Sequence, residues 1–193
     1  TFTMEIVKYA FLPVFAEIIY AVPLAIFNNA TDPYIFQLVQ YSAAVLFLLL
    51  VYGFAQKATK HTFLPIVTVL AVLSIMDFQR EILHGGYIDV LMFTTAFASM
   101  FVLLEAVSRG KIEKGNLFVS ALLLGFAISM KYLALFFVGF NALLLVYFYV
   151  HTRANIKIAI MSALKYFSIP ALVAGFLYFR NLLVFGDPVY PML

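Results

Sequence analysis

The residue with the strongest chemical implication is Lys131, because it stands alone in an apolar stretch. Leu117–Val150 carries no other charge, and Lys131-Tyr132 falls close to its middle. An unpaired ammonium at membrane depth costs about 2.5–3.5 kcal/mol, so such a group usually marks a cavity or a partner. It is either a side chain snorkelling to the interface or a cation placed to meet an anion, most naturally a phosphate. Asp89 follows Gly85-Gly86-Tyr87 and heads another apolar stretch. It can serve the positive end of a helix dipole or a polar site. Arg180-Asn181 lies near the end of a third stretch, and Glu17 interrupts the first. Each allows the same two readings. Asp77-Phe78-Gln79-Arg80-Glu81 and His84 read as a solvated loop from which Arg80 and His84 could touch a polar substrate, while Tyr87, Tyr132 and Tyr190 suit interface anchoring.

Other chemistries are excluded or disfavoured. The chain has no cysteine, which removes disulfides, thiolate metal sites and a cysteine nucleophile. Its three histidines, His61, His84 and His151, share no helical turn, so a histidine-based metal site is not expected.

The elements that must carry these residues follow from composition. Of 193 residues, 65% are hydrophobic and 11% charged, against roughly 25% charged in ordinary globular domains. A soluble exterior needs polar cover that this chain lacks, whereas a bilayer does not demand it. The net charge of +3 resides between apolar spans, where it orients the protein in the membrane and does not call for nucleic acid. The expected fold class is all-α, a polytopic transmembrane helical bundle of about six to seven membrane helices, each needing about 20 apolar residues. The expected spans are Ile35–Phe54, Phe63–Met76, Tyr87–Val107, a broken pair around Lys131 within Leu117–Val150, and Tyr166–Val184 with Pro170 in its first turn. Phe11–Phe27, with Pro13 and Pro23, either spans or lies on the surface. Three basic clusters (Lys57 and Lys60; Arg109, Lys111 and Lys114; Arg153, Lys157 and Lys165) fit the cytoplasm together. Asp77–Gly86, Lys131 and the residues after Arg180 then share the opposite face. The chain reads as one transmembrane domain, 1–193, excerpted from a longer protein, multi-pass in the inner (plasma) membrane.

In order along the chain stand Pro13-Val14-Phe15-Ala16-Glu17, Gly86-Tyr87-Ile88-Asp89 and Gly125-Phe126-Ala127-Ile128-Ser129-Met130-Lys131-Tyr132. Arg180-Asn181, four apolar residues and Gly186-Asp187-Pro188-Val189-Tyr190-Pro191 complete the pattern. This pattern resembles the bacterial GT-C glycosyltransferases of the dolichyl-phosphate-mannose protein mannosyltransferase type, whose superfamily includes the aminoarabinose transferases. It departs from them in a single Pro13 where a pair is common and in Asp187 where Asn is commoner.

The resemblance implies an inverting enzyme that moves a sugar from a polyprenyl-phosphate donor to a lipid, glycan or protein acceptor at the extracytoplasmic face. It implies a general base in an outer loop upstream of Thr1, with that loop, a first span and a C-terminal part missing from this segment, which alone should be inactive. Lys131 would meet the phosphate with Arg180 as a second contact. Asp89 and Glu17 would orient these cations or the sugar hydroxyls, and Tyr132 and Asn181 would complete the substrate-binding set. Some relatives use a divalent cation, but no ligand cluster is complete here. Two other readings remain: a transporter or channel segment whose broken helix lines a path, and a non-catalytic membrane subunit.

Overall fold

A computed structural model of the chain describes residues 33–84, 89–153 and 155–187. Phe11–Phe27 with Glu17, the Gly86-Tyr87 segment and Tyr190 lie outside the described residues. Among those described, every regular element is helical: α1 (Pro33–Thr59), α2 (Phe63–Leu73), α3 (Met76–His84), α4 (Asp89–Ser108), α5 (Lys114–Met130), a 3-10 turn (Tyr132–Ala134), α6 (Leu135–His151) and α7 (Ile156–Phe185). Four helical segments are long and apolar enough to cross a membrane: Gln37–Thr59, Asp89–Ser108, Tyr132–His151 and Ile156–Val184. Phe63–Leu73 and Lys114–Met130 are shorter apolar helices.

Helix α4 is the centre of the bundle and packs against α1, α3, α5 and α6. Its buried residues Met92, Ala96, Ser99, Leu103 and Ala106 recur at alternating spacings of four and three, which keeps them on one stripe. Three of the five are small, and small residues let helix backbones approach closely where lipid supplies no hydrophobic drive. Ala121, Leu124, Ala127 and Ile128 of α5 join Met92, Ala96 and Leu103 in the main core. The side of α4 bearing Val90 and Thr94 meets α1. Val90 clusters with Ala43 and Ala44, and the Thr94 hydroxyl lies 3.0 Å from the Ala43 carbonyl and 2.6 Å from that of Val90. Phe47 and Phe54 stand edge-on to Phe97 about one and three turns further along α1. Outside these seams large apolar side chains stay exposed, among them Leu49, Phe136, Val150, Leu172 and Phe176, as lipid contact permits.

Four sequence expectations need correction. Phe63–Met76 is not a single span, because α2 ends at Leu73, about 16 Å after it begins and well short of a hydrocarbon core of about 30 Å. The break is held by hydrogen bonds: the Ser74 hydroxyl donates to the Ala71 carbonyl at 2.7 Å and the Gln79 amide to the Leu73 carbonyl at 2.6 Å. Asp77–Glu81 is not a loop but part of α3, which turns Phe78 and Ile82 onto the Ala43–Val90 cluster while Asp77 stays exposed. Pro170 is not in a first turn, since α7 begins at Ile156 and carries it mid-helix. Lys157 and Lys165, expected in a loop, are helical and exposed. The 30 residues of α7 reach about 45 Å, so the helix continues past any one bilayer crossing.

Candidate functional site

Lys131 sits where α5 stops. Its backbone is extended (φ −157°, ψ 136°), its N–H still reaches the Ala127 carbonyl at 3.2 Å, and its own carbonyl accepts from Ala134 N–H at 3.1 Å. A helix end leaves its last carbonyls without intrahelical donors. Tyr178 of α7 supplies one by donating its hydroxyl hydrogen to the Ile128 carbonyl at 3.1 Å. The break expected from sequence is therefore a built feature, stabilised from a neighbouring helix.

The extended residue sends the Lys131 ammonium to the first turn of α4, where Nζ lies 2.6 Å from Asp89 Oδ1. The two side chains are 31% and 19% exposed, so the pair is half-sheltered but not sealed. An ammonium has three donors, and Asp89 engages one of them. Asp89 thus serves the start of α4 and the charge of Lys131 together: the anion that Lys131 meets is supplied by the chain itself. Tyr132 is 38% exposed on the adjoining turn.

Helix α7 runs parallel to α5. Val173 and Pro170 lie beside Gly125 and Tyr178 beside Ile128. The partly buried Arg180 and the buried Asn181 therefore fall at the Asp89–Lys131 end of the bundle. The structure brings Asp89 and Lys131 into contact and carries Arg180, Asn181 and Tyr132 to the same end. Glu17 is outside the described residues. Gln40 on α1 lies close to this level, one turn before the Ala43–Thr94 contact. It is fully buried, and neither its amide oxygen nor its nitrogen has a hydrogen-bond partner among the described residues, an arrangement that costs about 1–3 kcal/mol.

The far end of α4 carries a different ionic group. Glu105 accepts from Lys57 at 2.9 Å and from Arg109 of the same helix. Beyond it, in the α4–α5 connection, hydrogen bonding from Lys111 holds the Glu113 carboxyl below the usual carboxylate range. Asp89 and Glu105 lie about 24 Å apart along α4 at 1.5 Å per residue, so the two ionic groups are separated by most of a hydrocarbon thickness.

A further polar group was not singled out from the sequence. Ser99, Ser120, Asn141 and Tyr166, one from each of α4, α5, α6 and α7, are buried together inside the bundle. Ser99 Oγ donates to the Ser120 carbonyl at 2.7 Å and Ser120 Oγ to the Ser99 carbonyl at 2.8 Å. With Tyr166 OH donating to Ser120 Oγ at 2.9 Å, the Asn141 amide completes the set through Ser99 Oγ at 2.9 Å and Tyr166 OH at 2.8 Å. This assignment satisfies every donor and leaves only Asn141 Oδ1 without a partner. Tyr166→Phe strands an Asn141 N–H in the interior and is expected to destabilise the protein by about 1–3 kcal/mol. Asn141→Leu removes its donors and the orphan oxygen together and should cost less. Thermal unfolding of the purified variants in one detergent checks this order, and equal losses would contradict it.

Among the described residues no three His, Cys, Asp or Glu side chains converge as a metal site would require. Fold and site together define a helical membrane protein with an ion pair at a helix break. Comparisons with protein-family models, with curated proteins and with solved structures find no match.

Proposed function

We propose that this chain is the membrane part of a GT-C-type glycosyltransferase. It moves a sugar from a polyprenyl-phosphate donor to a lipid, glycan or protein acceptor at the extracytoplasmic face of the inner (plasma) membrane. The observation that carries the reading is the Asp89–Lys131 pair, with Arg180, Asn181 and Tyr132 at the same end of a multi-pass bundle. The family resemblance stands beside it.

In the proposed reaction the acceptor hydroxyl oxygen bonds the anomeric carbon on the face opposite the phosphate, and the carbon–oxygen bond to the phosphate breaks. The hydroxyl proton passes to a general base, which the resemblance assigns to an acid preceding Thr1. The departing lipid phosphate gains negative charge as the bond lengthens. A cation already in place stabilises that charge more in the transition state than in the ground state. Lys131 keeps donors for the phosphate while Asp89 fixes its position. Arg180 is the second cation, Glu17 acts on the sugar or on the cations, and Tyr132 and Asn181 complete the contacts. The expected result is transfer of a labelled sugar from a polyprenyl-phosphate donor by membranes containing the full-length protein. Failure with a panel of such donors overturns the reading.

A transporter or channel segment is the second reading, and the Ser99–Ser120–Asn141–Tyr166 group favours it, since polar side chains inside a bundle can line a path. Here, however, their donors are engaged with one another. Solute flux in reconstituted vesicles without sugar transfer would select it.

A further inference from the structure

The basic end of the bundle contains a feature that the proposed reaction does not use. Between α6 and α7 lies an open cleft of about 430 Å³, within the roughly 300–1,000 Å³ of small-molecule pockets. Leu145 and Tyr149 of α6 and Ala159, Ala163 and Phe167 of α7 form its walls, and Arg153 is the charged residue lining it. We propose that this cleft binds an anionic phospholipid, with an acyl chain between the two helices and the phosphate at Arg153.

The order of chemistry along the cleft matches a lipid. Arg153 stands just beyond the end of α6, and from there the apolar walls run inward to Ala142, about 16 Å along the helix at 1.5 Å per residue. That is about half the hydrocarbon thickness, the depth of one leaflet. A cation at the mouth with hydrocarbon below it reproduces the sequence of headgroup and tail. The cleft is also open to the outside: Val146 and Val150 on one wall and Ile156 and Ile160 on the other are more than half exposed.

Charge selects the headgroup. The carboxylates described at this end are already engaged, Glu105 by Lys57 and Arg109 and Glu113 by Lys111. Arg153 forms no ion pair with a described carboxylate, no described acidic residue lines the cleft, and Lys157 adds positive charge in the first turn of α7. A net negative headgroup is therefore favoured over a zwitterionic one, and the preference is independent of whether the transferase reading holds.

The test is native mass spectrometry of the full-length protein released from micelles containing equal phosphatidylglycerol and phosphatidylcholine of the same chains. The expected result is a retained phosphatidylglycerol adduct. Arg153→Gln reduces its preference about fivefold, the contribution of one cation near an anionic surface. Lys165→Gln, off the cleft, leaves the preference unchanged. Ala163→Phe fills the cleft and reduces retention of both lipids. Equal retention of the two lipids by the unaltered protein overturns the proposal, as does an unchanged preference in Arg153→Gln. An equal loss in Lys165→Gln also overturns it by showing diffuse surface attraction, and absence of any adduct shows the cleft closed by polypeptide. Arg153 is exposed, so its variant reads binding even where Ala163→Phe fails to fold.

Discussion

Under the proposed transfer reaction, Lys131→Ala in the full-length protein lowers turnover by a factor of about 10²–10³, the loss typical of removing one preorganised contact to developing charge. The structure adds a complication, because the substitution also strands Asp89 without the ammonium at 2.6 Å. Leaving one member of a sheltered pair unpaired is strongly destabilising, by about 3–5 kcal/mol where burial is complete. These side chains are 31% and 19% exposed, so the penalty here is smaller. Asp89→Asn with Lys131→Ala separates the effects, since it removes both charges and restores neutrality. If Lys131 acts on the phosphate, the double variant regains thermal stability while turnover stays depressed. If the pair is only a structural clamp, stability and turnover recover together. Turnover within a few-fold of normal in Lys131→Ala would remove the phosphate role. Asp89→Asn alone leaves the ammonium in place but no longer fixed by a full charge. Its expected signature is therefore a smaller loss than that of Lys131→Ala.

How much of this arrangement is legible in the sequence depends on the range of the physics involved. Helical membrane character follows from composition alone. The break at Lys131 is legible because a single charge within Leu117–Val150 must reach either water or a partner. The orientation of the basic clusters places Asp89 and Lys131 at one end of the bundle, yet spacing alone does not pair them, and the resemblance offers orienting the cations as only one of two roles for Asp89. The two residues are 42 apart, and the lysine by itself reads equally well as waiting for a ligand. The end of α2 is hidden for a related reason: Leu70 to Met76 is apolar apart from Ser74, and the hydrogen bonds that hold the break include one from Gln79 downstream. The true start of α7 is masked by Lys157 and Lys165, which look like loop charges until the helix is seen to extend beyond its most apolar stretch. The buried group of Ser99, Ser120, Asn141 and Tyr166 has almost no sequence signal. Each residue is unremarkable alone, and only the packing of four helices brings them together.

Gly125 shows a motif residue acquiring a structural cause. In the sequence it heads the pattern that ends at Lys131, and in the fold it is a place where α5 and α7 approach closely. A Cβ added there would stand 2.9 Å from Val173 Cβ and 3.1 Å from Pro170 Cα. Neither neighbour is the end of a flexible chain: Val173 Cβ is fixed to its backbone, and Pro170 lies mid-helix. The clash must therefore be relieved by moving one helix. Overpacking of this kind costs about 1–3 kcal/mol, and Gly125→Ala is expected to destabilise the protein by that amount. Its consequences reach the site because the same two helices meet again at Tyr178 and Ile128, where α7 closes the end of α5 just before Lys131. Separating them loosens that hydrogen bond and the position of the ammonium, so turnover under the proposed reaction should fall along with stability. Val173→Ala leaves a Cβ in place and relieves only the 3.3 Å contact from Val173 Cγ1. Combined with Gly125→Ala it should therefore recover only part of the loss, whereas Val173→Gly removes the closest atom and should recover more, less the roughly 1 kcal/mol that glycine costs inside a helix. The graded series, measured as thermal unfolding of the purified variants, distinguishes close packing from a backbone requirement: Gly125 is helical, so its φ and ψ are accessible to alanine. Unaltered stability in Gly125→Ala would mean that α5 and α7 are not held as closely as the structure places them.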